Sequence, residues 1–513
     1  MKSRIYVFGA LAIASIGLTA LFFQTLDIFI ALACAAVADA YVYAIQSQSE
    51  RKDKAMSRFH FLGSSNRFLA KRSPSQSVST LLFIILVVPL VAGSTLDFMG
   101  LLGDGLDALA RVLLIVGFAI TFFFASFSIP LALRYQRAAS EATRLNPDPK
   151  YRPLVSILAP AYNEQAVISG TLEALINTKY EKKEIIAIDD GSTDKTSFIM
   201  SWYKQFGVKV LRKPNGGKAS ALNYGLLFAT GEIIITVDAD TQVTPDAIDE
   251  IVKVMSDPSV SAVSGNVKVL NNKNMISRLQ ELEYITNINI LRRALDLFGA
   301  VMVVPGAFGA FRRDAVSMAG RYDIDTLAED FDLTVKLLKA FGNVKASSTA
   351  TAFTEVPSTV RGLYRQRRRW TKGIYQTVLK HKDAFSNERY GYLQNIVFPI
   401  LLLSLIMPFA GFVALGSGVL LAFTGRVNIF FEMLALFALI QLFVVLLSIA
   451  LDDGDYRLAF YTPLFVIGYK QFLDYTTVSS IFQVDFGIGK GWTKTERVGG
   501  TSSPLQVKPR RGA

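Results

Sequence analysis

The stretch Glu232-Ile233-Ile234-Ile235-Thr236-Val237-Asp238-Ala239-Asp240 decides the fold. After Glu232 the run is short, uncharged and rich in β-branched residues, which suits a strand buried on both faces. It stops at two carboxylates one residue apart. In an open α/β sheet, ligands bind outside the carboxyl ends of the strands. Two carboxylates there form a hard oxygen site, suited to a Mg2+ or Mn2+ that also holds a diphosphate. An isolated Asp-x-Asp is also a common solvated turn, so the neighbouring segments have to decide.

From about residue 150 to 384 no segment could span a bilayer, and strands alternate with helical patterns. That alternation is the signature of a mostly parallel sheet. Strands are predicted at 154–159, 184–188, 208–211, 232–237 and 260–267. Helices are predicted at 165–177, 196–206, 218–229 and 245–255. The first strand runs into Pro160-Ala161-Tyr162-Asn163-Glu164 and the second into Asp189-Asp190-Gly191-Ser192-Thr193-Asp194. Ser192, Thr193 or Asp194 would cap the following helix. Capping needs only one acid and leaves Asp189 and Asp190 unexplained. Asn215-Gly216-Gly217-Lys218 opens the next helix, where glycines allow close backbone approach and a helix start with a lysine favours phosphate. The spacing is not that of a P-loop.

Residues 301–312 read as strand and turn. Ala328-Glu329-Asp330-Phe331-Asp332-Leu333 begins a helix that continues at Val335, Leu337 and Leu338, and acids in a first turn are ordinary dipole partners. Residues 361–372 are intensely basic. A face on anionic lipid accounts for Arg367 and Arg368. Trp370 within that run offers a flat stacking surface for a sugar, and Arg369 can neutralise a diphosphate.

Around this unit the chain is apolar. Hydrophobic residues make up 51% and the mean hydropathy is +0.35, which points to membrane spans. Runs at 5–23, 28–45, 78–95 and 112–133 precede the α/β unit, and runs at 396–423, 429–451 and 458–482 follow it. Asp39, in the second run, would have to face other helices or the interface. With such runs present, the net charge of +12 marks cytoplasmic flanks and an anionic substrate rather than nucleic acid. Arg51 to Arg72 and Arg134/Arg137 then lie inside, and Asp97, Asp104 and Asp107 outside. If all three late runs spanned, the basic tail would be outside. The third, with Lys470 and Asp474 on one helical face, is therefore expected to be interfacial or re-entrant. Cys34 is the one cysteine, which excludes an intramolecular disulfide. His60 and His381 are expected at the surface or interface. The expected organisation is a multi-pass α-helical membrane protein with a cytoplasmic α/β domain: four helices and a basic loop in 1–137, the α/β domain in 150–384, transmembrane and interfacial helices in 385–485, and a basic tail in 486–513.

Tyr162-Asn163-Glu164, Asp189-Asp190-Gly191-Ser192, Lys218, Asp238-Ala239-Asp240, Ala328-Glu329-Asp330 and Gln366-Arg367-Arg368-Arg369-Trp370 follow one another as in family 2 glycosyltransferases, which the chain resembles. The last motif, Gln-x-x-Arg-Trp, is similar to that of the membrane-embedded processive group: cellulose, chitin, hyaluronan and poly-N-acetylglucosamine synthases. The resemblance implies a GT-A, Rossmann-like domain on the cytoplasmic side of the plasma membrane. It implies that Tyr162, Glu164 and Asp190 hold uracil and ribose with Asp189 beside them, that Lys218 approaches the diphosphate, and that Asp238 assists at the nucleotide. Asp240 would ligate Mg2+ or Mn2+, and Asp330 would be the general base. Phe308 and Gly309 would bear on the acceptor, although a packed phenylalanine is the commoner meaning. Gln366 and Trp370 would meet the acceptor's terminal sugar. Pro305-Gly306 replaces a Ser-Gly frequent in relatives, and Ala328 replaces a threonine. Trp492-Thr493-Lys494-Thr495-Glu496-Arg497 looks like a short element that helps close the nucleotide site.

The implied activity is inverting, metal-dependent transfer from a UDP-sugar, UDP-N-acetylglucosamine foremost, onto a β-linked polysaccharide that is passed across the membrane. The alternative within the class is single transfer to a membrane lipid acceptor. A transporter with a soluble regulatory domain is the rival from another class, and a complete transfer site argues against it. The implied partners are the UDP-sugar, a growing polysaccharide or lipid, and the bilayer. Accessory subunits are left open.

Overall fold

The computed structural model describes residues 127–136 and 150–487, with 424 and 426 excepted. The expected spans at 5–23, 28–45 and 78–95, their loops, Cys34, His60 and the 492–497 element lie outside those residues. Of the 112–133 run, 127–133 falls in a helix over 127–136.

Eight strands form one sheet: β1 (Val155–Ala161), β2 (Lys183–Asp189), β3 (Val208–Arg212), β4 (Ile233–Val237), β5 (Thr241–Val243), β6 (Ala262–Val269), β7 (Phe308–Arg312) and β8 (Val344–Thr354). Their order is β3-β2-β1-β4-β7-β6-β8-β5. The first four are parallel. β7 then lies antiparallel to both β4 and β6, and β5 antiparallel to β8. β6 and β8 are parallel, so the sheet is mostly parallel as expected but mixed, with β7 and β5 running against the other strands. The direction of a strand inserted between two others depends on its connections, which periodicity does not report. β8 escaped the sequence reading because its Ser, Thr and Ala residues make a weak apolar signal.

β1 and β4 are buried at every position, and alternate residues feed two cores. Leu158, Ile186 and Ile234 pack with Leu222 of helix Lys218–Leu226 and Leu333 of helix Glu329–Ala340. Ile157, Ile185 and Ile235 pack with Leu172 of helix Ile168–Ile176 and Ile251 of helix Ala247–Met255. The four predicted helices are present, each within a few residues of its expected bounds. The strand order reverses at β1, with β2 on one side and β4 on the other, so a crevice opens at their carboxyl ends.

Among the described residues two helices, Leu393–Phe423 and Phe430–Leu451, are long and apolar enough to cross a membrane. The first shares its core with the α/β unit: Phe398, Ile400 and Leu403 belong to the cluster of Phe298 and Val301. The second ends in a clamp. Arg293 Nη1 donates to Leu451 O at 2.6 Å and its other terminal nitrogen meets buried Asp452, which also faces Lys268 Nζ at 3.2 Å. A cation at a helix C-terminus also complements the dipole. The third late run is not one continuous helix. Ile467 and Gly468 leave helical geometry, with φ +106° at Gly468. Helix Lys470–Asp485 follows, where Lys470 and Asp474 pair at 2.7 Å.

His381 differs from expectation. It is buried, and its Nε2 lies 2.9 Å from Asp332 Oδ1, so a carboxylate in the first turn of helix Glu329–Ala340 holds it inside.

Phe308 is fully buried in β7. It lies across from Gly265 in β6, where a Cβ would stand 2.2 Å from the Phe308 ring. Overpacking of this kind costs about 1–3 kcal/mol. Gly265→Ala should therefore lower the melting temperature, and adding Phe308→Leu should recover part of the loss. A Gly265→Ala protein that melts with the parent would contradict this packing.

Candidate active site

The carboxyl ends of β1, β2 and β4 bring Tyr162, Asp189/Asp190 and Asp238/Asp240 to one side of the sheet. The loops after β1 and β2 are tied together. Asn163, at φ +54°, donates its N–H to Ser192 Oγ at 2.9 Å and accepts the Thr193 N–H at 2.8 Å. The Glu164 N–H donates to Thr196 Oγ1 at 2.7 Å. Asp194 accepts the Thr196 N–H at 2.9 Å just before helix Thr196–Trp202.

Asp189 is fully buried and accepts the Ser192 N–H at 2.9 Å. Asp190 accepts from Lys213 Nζ at 2.6 Å and from the Gly217 N–H at 2.8 Å, with the Gly216 N–H at 3.1 Å. The Gly216-Gly217 amides therefore point at Asp190. The close approach allowed by these glycines serves a carboxylate of the chain itself.

Two adjoining cavities open above these ends. The first, of about 300 Å3, is lined by Tyr162, Glu164, Asp190 and Gly216 among others. The second, of about 480 Å3, contains Asp330, Gln366 and Trp370 and reaches Ser404 on the first apolar helix. Lys218, Asp238, Asp240, Leu327, Glu329 and Arg369 line both and form the wall between them. Phe308 and Gly309 line neither; they are strand residues paired to Val237 and Thr236.

Lys218 is the centre of the wall. Its ammonium meets Asp238 and lies 3.4 Å from Glu329. Burial alone would lower its pKa, but Asp238, Glu329 and Asp330 outweigh that and raise it, so Lys218 stays charged. Burial pushes the Glu329 carboxyl up, while Lys218 and Arg369 pull it back. Gly306 makes room for this arrangement, since a Cβ there would be 2.3 Å from Lys218 Nζ. The Gly306 N–H donates to Asp330 Oδ2 at 3.0 Å, and the Phe331 N–H donates to Oδ1 at 2.8 Å. The plane of the Asp330 carboxylate is thereby fixed at the start of its helix.

Asp240 Oδ1 accepts from Thr354 Oγ1 at 3.2 Å. Among the described residues no group of three or more His, Cys, Asp or Glu forms a ready metal cage. Mg2+ is usually held by one or two carboxylates plus substrate phosphates. A single hard-oxygen donor on a wall shared by two cavities fits an ion of that kind.

Gln366, Arg369 and Trp370 are three and four residues apart on helix Val360–Lys380 and share one face. Arg367 does not lie on a lipid surface as expected: it is buried and paired with Glu283 at 2.7 Å. Sequence reasoning also missed Arg292, Tyr284 and Glu355, all in the second cavity. Burial pushes Arg292 down to about 10, with Tyr284 and Asp330 opposing. Tyr284 opens a π-helical turn, Tyr284–Asn289, a feature frequent at functional sites with no local sequence signature. Glu329 had a signal, as the neighbour of Asp330.

A mixed sheet with paired carboxylates at its strand ends and a second cavity adjoining the first is a GT-A-like α/β domain. Residues 156–318 match the model of glycosyl transferase family 2. A poly-beta-1,6-N-acetyl-D-glucosamine synthase of Staphylococcus aureus is 35% identical over 235 residues, 45% of this chain and 57% of that protein. The Staphylococcus epidermidis synthase is 33% identical over 232 residues, 44% of this chain and 56% of that protein. The chain thus spans little more than half the length of the curated relatives it matches. A mannosyltransferase of Pyrobaculum calidifontis, solved with GDP-Man and Mn2+, shares the fold: TM-score 0.53 at 23% identity, covering 74% of this chain and 99% of that one.

Lys218→Met tests the wall. It leaves Arg369 as the remaining cation acting on Glu329 beside Asp238, so Glu329 moves further up. A raised carboxyl pKa means the folded state holds the proton more tightly, so stability falls as pH rises from the usual glutamate value through the folded one. The variant should lose about 1–2 kcal/mol, partial exposure of the pair reducing the penalty for an orphaned buried charge. Its melting temperature should drop more steeply than the parent's between pH 5 and pH 8. Parallel pH profiles would refute the arrangement.

Proposed function

We propose that the chain is an inverting, metal-dependent glycosyltransferase that extends a β-linked polysaccharide from a UDP-sugar, UDP-N-acetylglucosamine foremost, and passes it across the membrane. The observation that carries this reading is the pair of adjoining cavities with a common charged wall, the second of which ends at an apolar helix long enough to span. The similarity to the staphylococcal synthases supports the sugar and the polymer. The Mn2+ and GDP-Man named for the fold relative support a metal-held nucleotide diphosphate.

In this reading Tyr162 and Glu164 hold the base and ribose in the first cavity. Asp189 and Asp190 hold the loops that frame them. Lys218 and Arg369 face the diphosphate, and Asp238 keeps Lys218 in place. A divalent ion held by Asp240 would supply charge that stabilises the departing diphosphate. Across the wall, Trp370 and Gln366 seat the acceptor's terminal sugar. The acceptor hydroxyl oxygen attacks the anomeric carbon from the face opposite the diphosphate, the carbon–oxygen bond to that diphosphate breaks, and Asp330 takes the hydroxyl proton. One displacement inverts the anomeric centre. A chain whose far end lies in the membrane cannot diffuse away between additions, so one enzyme makes long products.

Loss of a general base costs about 10²–10⁴-fold. Asp330→Asn should lose transfer by that amount and keep UDP binding, whereas Asp240→Asn should weaken metal-dependent UDP binding. Equal loss of UDP binding in both would overturn this division of roles. With UDP-N-acetylglucosamine in excess, the unmodified protein should give a ladder of long products; only single-sugar glycolipid would promote the lipid-acceptor alternative.

The proposed location is the plasma membrane, with residues from about 140 to 390 and both termini inside, since every basic loop then lies inside. The break at Ile467 and Gly468 supports treating the third late run as interfacial. Labelling of an introduced Ser502→Cys from outside the cell would reverse that assignment.

A further inference from the structure

Arg367 is 6% exposed, in the middle of the most basic stretch of the chain. Three contacts hold it. Its Nη2 donates to Glu283 Oε2 at 2.7 Å, its Nη1 donates to Gln366 Oε1 at 2.5 Å, and its guanidinium carbon lies 4.2 Å from the centre of the Trp370 ring. Glu283 Oε2 also accepts from the Tyr469 hydroxyl at 2.5 Å. Glu283 ends helix Met275–Glu283 and lines the second cavity. Tyr469 follows Gly468 directly, at the end of the broken segment Phe465–Tyr469.

These contacts have directional consequences. A guanidinium over one face of an indole is attracted by the ring quadrupole, and this fixes the plane in which Trp370 meets the second cavity. The Gln366 carbonyl oxygen is engaged by Arg367, so its amide N–H groups are the part left for a sugar oxygen. A planar guanidinium can serve a carboxylate, an amide oxygen and an aromatic face at once, which the point charge of a lysine cannot. Burial makes each partner depend on the others: without Glu283 the cation would be orphaned, and without Tyr469 the carboxylate would lose a donor.

We propose that Arg367 is a positioning residue for the acceptor, aligning Trp370 and Gln366 with the terminal sugar, and that Glu283 and Tyr469 set its place, so that the broken segment beside the apolar helices governs how the acceptor is gripped between additions. This rests on the synthase reading of the second cavity.

The test uses the full chain in membranes with UDP-N-acetylglucosamine. Arg367→Lys and Tyr469→Phe should keep UDP affinity and acceptor-free hydrolysis of the UDP-sugar within about twofold. Their elongation kcat and mean product length should fall about fivefold or more, with KM for the UDP-sugar unchanged, since small misplacements of reacting groups cost large factors. The exchange Glu283→Arg with Arg367→Glu restores an ion pair but not the cation over Trp370. It should recover the melting temperature lost in Glu283→Arg alone without recovering product length. Parent-length polymer from the exchange, or from Arg367→Lys should the exchange fail to fold, would overturn the positioning role. Parent-length polymer from Tyr469→Phe would overturn control by the broken segment. If the unmodified protein makes only single-sugar products, the synthase reading fails separately. The inference is then decided by whether Arg367→Lys lowers transfer while sparing hydrolysis.

Discussion

The contact of Lys218 with Asp238 and Glu329 joins three parts of the fold that the chain order keeps apart. Asp238 follows directly on the central parallel strand β4, Lys218 begins the helix just before that strand, and Glu329 begins a helix beyond the antiparallel insertion. Each stands at an element end, where backbone groups lack intrahelical or intrastrand partners; the helix dipole favours Glu329 at its helix start and disfavours Lys218 at its own, so the lysine depends on the two carboxylates. The ammonium compensates two carboxylates that could not otherwise sit together in a half-buried wall. The same contact gives both cavities one charged surface, so a group held on one side lies close to a group held on the other. Gly306 completes the geometry, because any side chain there would occupy the lysine's place.

A second constraint is the absence of a seam between the α/β unit and the first apolar helix. Phe398, Ile400 and Leu403 share one core with residues around the second cavity, and the Arg293–Asp452 clamp holds the end of the second helix to β6 through Lys268. Buried ion pairs of this type contribute little net stability against an apolar alternative, and their value is in specifying one arrangement. Here that arrangement keeps the cavity floor and the apolar helices in a fixed register. Exposed Phe409, Phe412, Val419, Phe431 and Leu439 on those helices form an outer apolar surface of the kind that lipid covers.

Much of this was legible in the sequence. The alternation of short apolar runs and helical patterns specified the α/β unit and the position of its first four strands, because burial on two faces requires those residue types. Asp189, Asp190, Asp238 and Asp240 were placed at strand ends by the same pattern, and the structure gathers them on one side. Helix Glu329–Ala340 was legible too, with Asp330 in its first turn, whereas the basic run around Trp370 gave no sign that it forms helix Val360–Lys380. The break in the third late run at Ile467 and Gly468 was not read from the sequence, where a charge argument led only to the expectation of an interfacial or re-entrant segment.

What remained depended on pairings between distant segments. β7 runs antiparallel because of where its connections lie, and strand direction leaves no trace in residue type. Phe308 fills the space above Gly265, which no reading of either segment by itself could reveal. Gly216 and Gly217 turn their amides to Asp190 rather than outward, since an acid at the end of the neighbouring strand reaches them first. Arg367 is buried because Glu283 and Tyr469, nearly two hundred residues apart from each other, converge on it. Residue types and their spacing determined which elements form and which chemistry they carry. Only the tertiary structure decided which charged groups meet, because that depends on the long-range closure of the chain and on burial, which makes each charge take the partner within reach.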